Sequence, residues 1–564
     1  MTTTNDKTVP ESESSGTPTE PSTQSFDETE AIKAASQARA AAPGPIPYGF
    51  DTAKRVYRAD RADAVMALAA VVLGYLWWNW LWPRSGLVHS ADGYWFKTYQ
   101  PAIAVTAFFA LALTCSLIYF SYRKVLVAPS AIVGIVGLML AALPFAFYDT
   151  TPVHLFAGMG LLVGYITWHA HATGTAMSRY IGGLTGADVV NQTLVVPFIN
   201  LGVWFASLRA LRQKGKKSHQ WVFAIIGVII ALPVLAVVMA LLMTADAHFG
   251  TWMSWLVDAF IKIDMGSFLW QLSLGVLVAI PLAGLLYGNT RRDGASPMTA
   301  EQVVGWGRNA HRVTNLAIAT PIAILCLMYL VFFVATGSSL FVAFTARGAG
   351  PFAYAEYARS GFFQLVAVAA INLAVLAAAR LFIQRDEGVY PHSARVLGVV
   401  MSAQTLLLVV TAASKLLLYI DQYGLTRLRL YTVWFCGVLF VVFALVGVWH
   451  VRRFAVGRPI LIFVIVAFLG LFWANTDGMI ANYNVDRYLN GRVSTIDVEF
   501  LNDELSAAAV PALVRLRDSA PDETVSRRVS EVLDRRLPDK KSEPVPWTAW
   551  NWQTERAKSL LAKR

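Results

Sequence analysis

Charge and cysteine are both scarce in this chain. Only 15% of its 564 residues are charged, whereas about a quarter of a soluble globular domain is. That shortage, with a hydrophobic content of 56% and a mean hydropathy of +0.50, argues against a soluble multidomain enzyme. The three cysteines, Cys115, Cys326 and Cys436, each lie inside an apolar run and offer neither a disulfide framework nor zinc-ligand spacing. No complete catalytic, nucleotide-binding or metal-ligand motif stands out, so no cofactor and no metal is expected. The polar N-terminus lacks the apolar core of a cleavable signal peptide, which leaves the first membrane span to act as its own insertion signal.

In place of those features stand long apolar runs. A hydrocarbon layer about 30 Å thick needs roughly 20 helical residues to cross it. Such runs recur at 64–82, 101–121, 126–147, 153–172, 221–243, 268–288, 314–337, 361–383, 396–419, 429–450 and 458–475. The predicted fold class is all-α, a polytopic transmembrane helical bundle of about eleven spans. The 18 tryptophans fit interfacial anchoring, as in Trp77, Trp78, Trp80 and Trp82 at the end of the first run. Lipid is thus the expected partner. The net charge of +11 resides in loops that hold spans in orientation, so a nucleic-acid partner is not expected.

Residues 188–211 are ambiguous, because Asn191, Gln192, Pro197 and Asn200 interrupt an otherwise apolar stretch. If this stretch made a twelfth span, Arg209, Arg212, Lys214, Lys216 and Lys217 would lie outside, and every later basic loop would flip with them. If it is re-entrant or interfacial, roughly 22 Lys and Arg fall in inner loops against about 7 in outer ones. The charge asymmetry therefore favours eleven spans, a cytoplasmic N-terminus and an extracytoplasmic C-terminus. Three regions follow. Residues 1–50, rich in Ser, Thr, Pro and Glu, read as a disordered cytoplasmic tail. Residues 51–475 form the bundle, with 244–266 an amphipathic helix on the outer surface and 290–312 a cytoplasmic connector. Residues 476–564 form a small helical extracytoplasmic domain, since VEFLNDELSAAAVPALVRLRD and ETVSRRVSEVLDRRL carry apolar residues at helical spacing. Trp547, Trp550 and Trp552 then either clip that domain to the lipid interface or fill its core.

Two groups of residues could carry chemistry. His169 and His171 are two apart, so on a helix they point to nearly opposite sides and do not share a metal; two interfacial histidines are the simpler reading. The second group gathers on the outer side under this topology. It comprises Glu356 and Arg359 before one span, Lys415, Tyr419, Asp421 and Tyr423 leaving the next, Arg427 and Arg429 entering another, and Asn475 and Asp477 at the end of the last, followed by Asn482, Asn484 and Arg487. Ionisable residues at span ends are costly unless paired or functional. They form either an ion-pair lattice tying the C-terminal region to the bundle or a site for an anionic ligand, since Arg binds phosphate and carboxylate in bidentate fashion.

The strings AEYARSGFFQLVAVAAINL, SKLLLYIDQYGLTRLRLYTVWF and VDRYLNGRVSTIDVEFLNDELSAAAVPAL resemble a family of multi-pass bacterial membrane proteins catalogued as a domain of unknown function. The resemblance covers roughly residues 220–560, takes in the tryptophan-containing tail, and leaves the His169 region without a hallmark. It implies a bacterial cytoplasmic membrane protein and transfers no functional residues. The leading reading is a non-enzymatic envelope protein that binds or moves an anionic lipid or lipid-linked precursor at the outer face. The rivals are an integral-membrane transferase acting on a lipid-linked substrate and a membrane sensor or scaffold. The loop charges yield a direct test: cysteines placed at Ser218 and Lys563 should label from the inside and the outside respectively, and outside labelling at Ser218 would reverse every assignment downstream.

Overall fold

The computed structural model describes residues 56–562, apart from 83, 91–92, 150, 179–180, 213–264, 346–361, 385–389 and 537–544. The tail 1–50, the run 221–243, the stretch 244–266 except its last two residues, and the positions Glu356 and Arg359 therefore lie outside the described residues. The chain opens with α1 (Arg61–Trp80), an antiparallel hairpin of β1 (Arg84–Ser90) and β2 (Gly93–Tyr99), then α2 (Ile103–Tyr122), α3 (Ala128–Phe147) and α4 (Thr151–Thr173). A bent pair follows, α5 (Thr185–Ile199) and α6 (Val203–Arg212), and then α7 (Met265–Thr290) and the short α8 (Ala300–Ala310). The second half contains α9 (Asn315–Thr345), α10 (Phe362–Phe382), α11 (His392–Tyr423), α12 (Arg427–Val451) and α13 (Gly457–Trp473). It closes with α14 (Thr476–Leu489), α15 (Val498–Asp503), α16 (Val510–Ser519), α17 (Glu523–Arg535) and α18 (Trp552–Leu561).

This is the helical bundle that the apolar runs predict, with the hairpin as its one sheet element among the described residues. Nine described helices are long and apolar enough to cross a membrane, and two bent pairs, α5 with α6 and α13 with α14, pass the same test together, giving up to eleven. The protein is thus a multi-pass membrane protein in a lipid bilayer. One core is built by α1, α2, α3, α4 and α7, around Phe109, Phe120, Leu161 and Ala283. A second runs without a break from α9–α12 into the C-terminal helices, from Met401 and Leu408 to Ile480, Leu513 and Val532. The helices after Thr476 therefore share their apolar core with the bundle.

The helix ends sort onto two faces. On one, Asp60 caps α1 by accepting from the Ala62 backbone N–H at 2.9 Å, and Arg123 donates to both its oxygens at 2.8 and 2.7 Å. Arg291 bonds Asp60 at 2.5 Å and the fully buried Asp63 at 2.9 Å, and the Tyr119 hydroxyl donates to Asp63 at 2.7 Å. The Arg123 hydrogen bond holds the Asp60 carboxyl well below the usual aspartate value. On the opposite face the tail returns to the first helices. The Ala102 and Ile103 N–H groups donate to the Thr548 and Trp550 carbonyls at 2.7 and 3.1 Å, and the Trp547 ring meets Trp80 at 5.0 Å. Trp547, Trp550 and Trp552 are 52, 39 and 45% exposed, so they are not core residues.

The polar interruptions of 188–211 find protein partners. Asn289 donates to Gln192 at 2.8 Å, Ser296 to Asn191 at 2.5 Å, and Asn200 to the Gly294 carbonyl at 2.7 Å. All three amides are buried against the end of α7 and its connector, away from hydrocarbon that could not satisfy them. A π-helical stretch, Asn191–Val195, turns two of them toward α7. His169 is also buried, with its ring between Ser116 and Tyr165, so it is a core residue of α2–α4 packing and not an interfacial one.

The closest helix crossing depends on two glycines. A Cβ on Gly74 of α1 would lie 2.1 Å from the Gly275 carbonyl oxygen of α7, and small residues are what allow membrane helices to approach so closely. Gly74→Ala should destabilise the protein by about 1–3 kcal/mol in a detergent unfolding assay. Gly137→Ala, where a Cβ meets nothing within 4 Å, should leave the transition in place.

Candidate functional site

Helix α11 has 32 residues, about 48 Å at 1.5 Å per residue, so it overreaches a hydrocarbon layer of about 30 Å. Its last turn meets the C-terminal helices. Its final carbonyls would be unpaired if left to themselves. Two arginines from other helices take them up. Arg487 of α14 donates to the Ile420 carbonyl at 3.1 Å and to that of Asp421, while Arg429 of α12 donates to Tyr423 and Gly424 at 3.0 and 2.5 Å. Cations at a helix C-terminus also oppose its dipole favourably. Gly424 has φ +79°, and a Cβ there would lie 2.5 Å from the Asn484 oxygen, so both conformation and space require glycine. Asn484 then clasps the turn, accepting from Leu425 N–H at 2.9 Å and donating to its carbonyl at 2.8 Å.

Beside this turn lies the strongest ion pair of the face. Arg427 meets Asp477 with two parallel bonds, Nε to Oδ1 at 2.7 Å and Nη2 to Oδ2 at 2.6 Å. Asp477 is fully buried and also accepts from the Ser506 N–H at 2.9 Å. Arg427 opens α12, where a helix dipole disfavours a cation, while Asp477 sits in the first turn of α14, where it favours an anion. Asn475 caps α14 by accepting from Gly478 N–H at 3.1 Å and accepts from Gln553 at 3.0 Å, which ties in the tail helix α18.

The α11–α12 turn, the end of α14 and the loop 492–497 enclose a cavity of about 640 Å³. Its charged lining is Arg429, Arg487, Arg492 and Asp497, three cations to one carboxylate. Asp497 is occupied in capping α15, accepting from the Phe500 N–H at 2.9 Å. Arg487 is 8% exposed and its Nε makes no hydrogen bond. Arg492 is exposed at the rim and makes no ion pair among the described residues. Such a cavity can accept an anion through guanidinium donors, with Asn484 and the turn backbone to fix its orientation.

Of the residues singled out from sequence, Tyr423 and Arg429 line this cavity. Arg427, Asp477 and Asn475 form the lattice next to it. Tyr419 packs at a tilt against Tyr423, with ring centroids 4.9 Å apart, and lies under the Arg429 guanidinium at 4.4 Å. Asp421 is exposed on the turn, and Lys415 lies part-buried two turns earlier on α11; neither lines the cavity. Asn484 and Arg487 were placed on the outer side without being singled out as site residues, and Arg492 was missed. Their signal was the string NYNVDRYLNGR, in which asparagine and arginine three apart share a helix face, five residues before a second arginine. Among the described residues no group of His, Cys, Asp or Glu could hold a metal ion.

Removing one partner of a buried pair strands the other, so Arg427→Ala should cost about 3–5 kcal/mol. The double change Arg427→Met with Asp477→Leu should recover most of that loss, which a denaturant titration of the three proteins would show.

No curated protein and no solved structure matches the chain. A family model does, described as Domain of unknown function (DUF4153), and its match to residues 108–516 takes in most of the bundle, the α11–α12 turn and α14. That span begins earlier than the resemblance read from the sequence, includes the His169 region, and leaves the tryptophan tail outside. A match over this much of the chain, with the bundle built around it, makes the protein a member of the DUF4153 family.

Proposed function

We propose that this protein binds an anionic, phosphate- or carboxylate-bearing ligand of the bacterial envelope in the Arg429–Arg487–Arg492 cavity, on the outer side of the cytoplasmic membrane. The observation that carries this reading is the charge imbalance of the cavity, which holds three arginines against a single carboxylate already engaged in capping α15. A cavity serving only to connect helices would pair its charges, as Arg427 and Asp477 do beside it.

Loop charge and helix order support the outward orientation. Thr175, just after α4, bonds Asn289 at the end of α7 at 2.6 Å, so α4 ends on the face where α7 also ends. Helix α7 therefore starts on the other face, and the chain between them changes sides. One crossing at 221–243, with the bent α5–α6 pair re-entrant, meets that requirement and keeps the basic loops inside. Two crossings there, as in a twelve-span chain, would not. The helices after Thr476 are then extracytoplasmic.

Arg492→Gln tests the reading, because that exposed side chain makes no ion pair among the described residues. It should weaken binding of glycerol phosphate by about tenfold or more, as expected for losing a charge-assisted bond, with the melting temperature unchanged. Equal affinity for the two proteins in isothermal titration would contradict it.

A further inference from the structure

We infer that the anion held there is the headgroup of a membrane lipid whose acyl chain lies in an apolar recess between α12, α13 and α14. This rests on the binding site proposed above and goes further, assigning the ligand to the amphiphiles. The recess measures about 280 Å³ and is lined by Leu430, Trp434, Gly470, Leu471, Thr476 and Met479, among others. Its surface is almost wholly apolar, and Gly470 and Met479 on its wall are exposed.

The recess and the basic cavity are built on the same two helices. On α12, Thr426 and Arg429 border the cavity and Leu430 and Trp434 border the recess. That places the recess up to two turns further along α12 from its first turn, roughly 2–12 Å along the axis. On α14 the order repeats, with Arg487 at the cavity and Thr476 and Met479 at the recess, about 12–17 Å apart. These offsets suit a headgroup and the chain attached to it. The Arg427–Asp477 pair on the same two helices is neutral, its charges matched through two hydrogen bonds.

The experiment measures binding of phosphatidylglycerol, phosphatidylcholine and glycerol phosphate to the full-length protein in detergent, by native mass spectrometry and titration. Gly470→Leu fills the recess, since a Cβ at that position meets nothing within 4 Å; Ala467→Phe fills it from the neighbouring turn. Melting temperatures identify any variant that fails to fold. Both filled variants should bind phosphatidylglycerol about tenfold more weakly yet keep their affinity for glycerol phosphate, whereas Arg492→Gln should weaken both ligands. Phosphatidylcholine should bind less tightly than phosphatidylglycerol. Unchanged phosphatidylglycerol affinity in both filled variants, with the loss in Arg492→Gln retained, would overturn the acyl-chain assignment and leave the anion site standing. Unchanged affinity in all three variants, or equal binding of the two lipids, would remove both.

Discussion

The contact between Arg427 and Asp477 is the constraint on which this face of the molecule depends. A carboxylate with no solvent exposure is tolerated only when its charge is matched and its lone pairs are taken. Asp477 meets that condition through a bidentate guanidinium and the Ser506 N–H. Those partners come from different parts of the chain, so satisfying the one group fixes the start of α12, the start of α14 and the turn before α16 against each other. The 64° bend between α13 and α14 places Asp477 there. With α14 held at its beginning, its far end delivers Asn484 and Arg487 to the end of α11. The basic cavity thus owes its walls to a neutral pair that does not line it.

The opposite face uses the same chemistry with a different outcome. Asp60 and Asp63 meet Arg123 and Arg291, two acids to two bases, and Tyr119 satisfies a further oxygen. The charges there are balanced, and the cluster joins the ends of α1, α2 and α7. The basic cavity lacks that balance, and the imbalance distinguishes a candidate site from a structural lattice. The α5–α6 segment adds a third device: its polar side chains are consumed by α7 and the 291–296 connector, which allows a broken, polar stretch to sit within an otherwise apolar bundle.

Much of this was legible in the sequence because the bilayer imposes a length. Apolar runs of about 20 residues located the spans to within a few positions, as with 429–450 against Arg427–Val451. The pairing of Arg427 with Asp477 was accessible too, since both sit at span ends where a lone charge is costly. What the residues did not disclose was the division of labour. Arg427 and Arg429 stand two apart in sequence and so leave the helix in different directions, one into a buried pair and the other to the cavity. Arg487 could be placed on the outer side but not at a site, and Arg492 was not singled out, because periodicity records neither the bend before α14 nor the return of its last turn to α11. The hairpin after α1 was hidden for a similar reason: seven-residue strands leave a weak trace beside spans three times their length.

The most direct measurement is an experimental density map of the protein in bilayer discs of phosphatidylglycerol. The account predicts headgroup density within hydrogen-bonding distance of Arg429, Arg487 and Arg492, continuous with chain density beside Trp434. A cavity holding only water in that lipid, or one closed by a protein side chain that neutralises the three arginines, would contradict it.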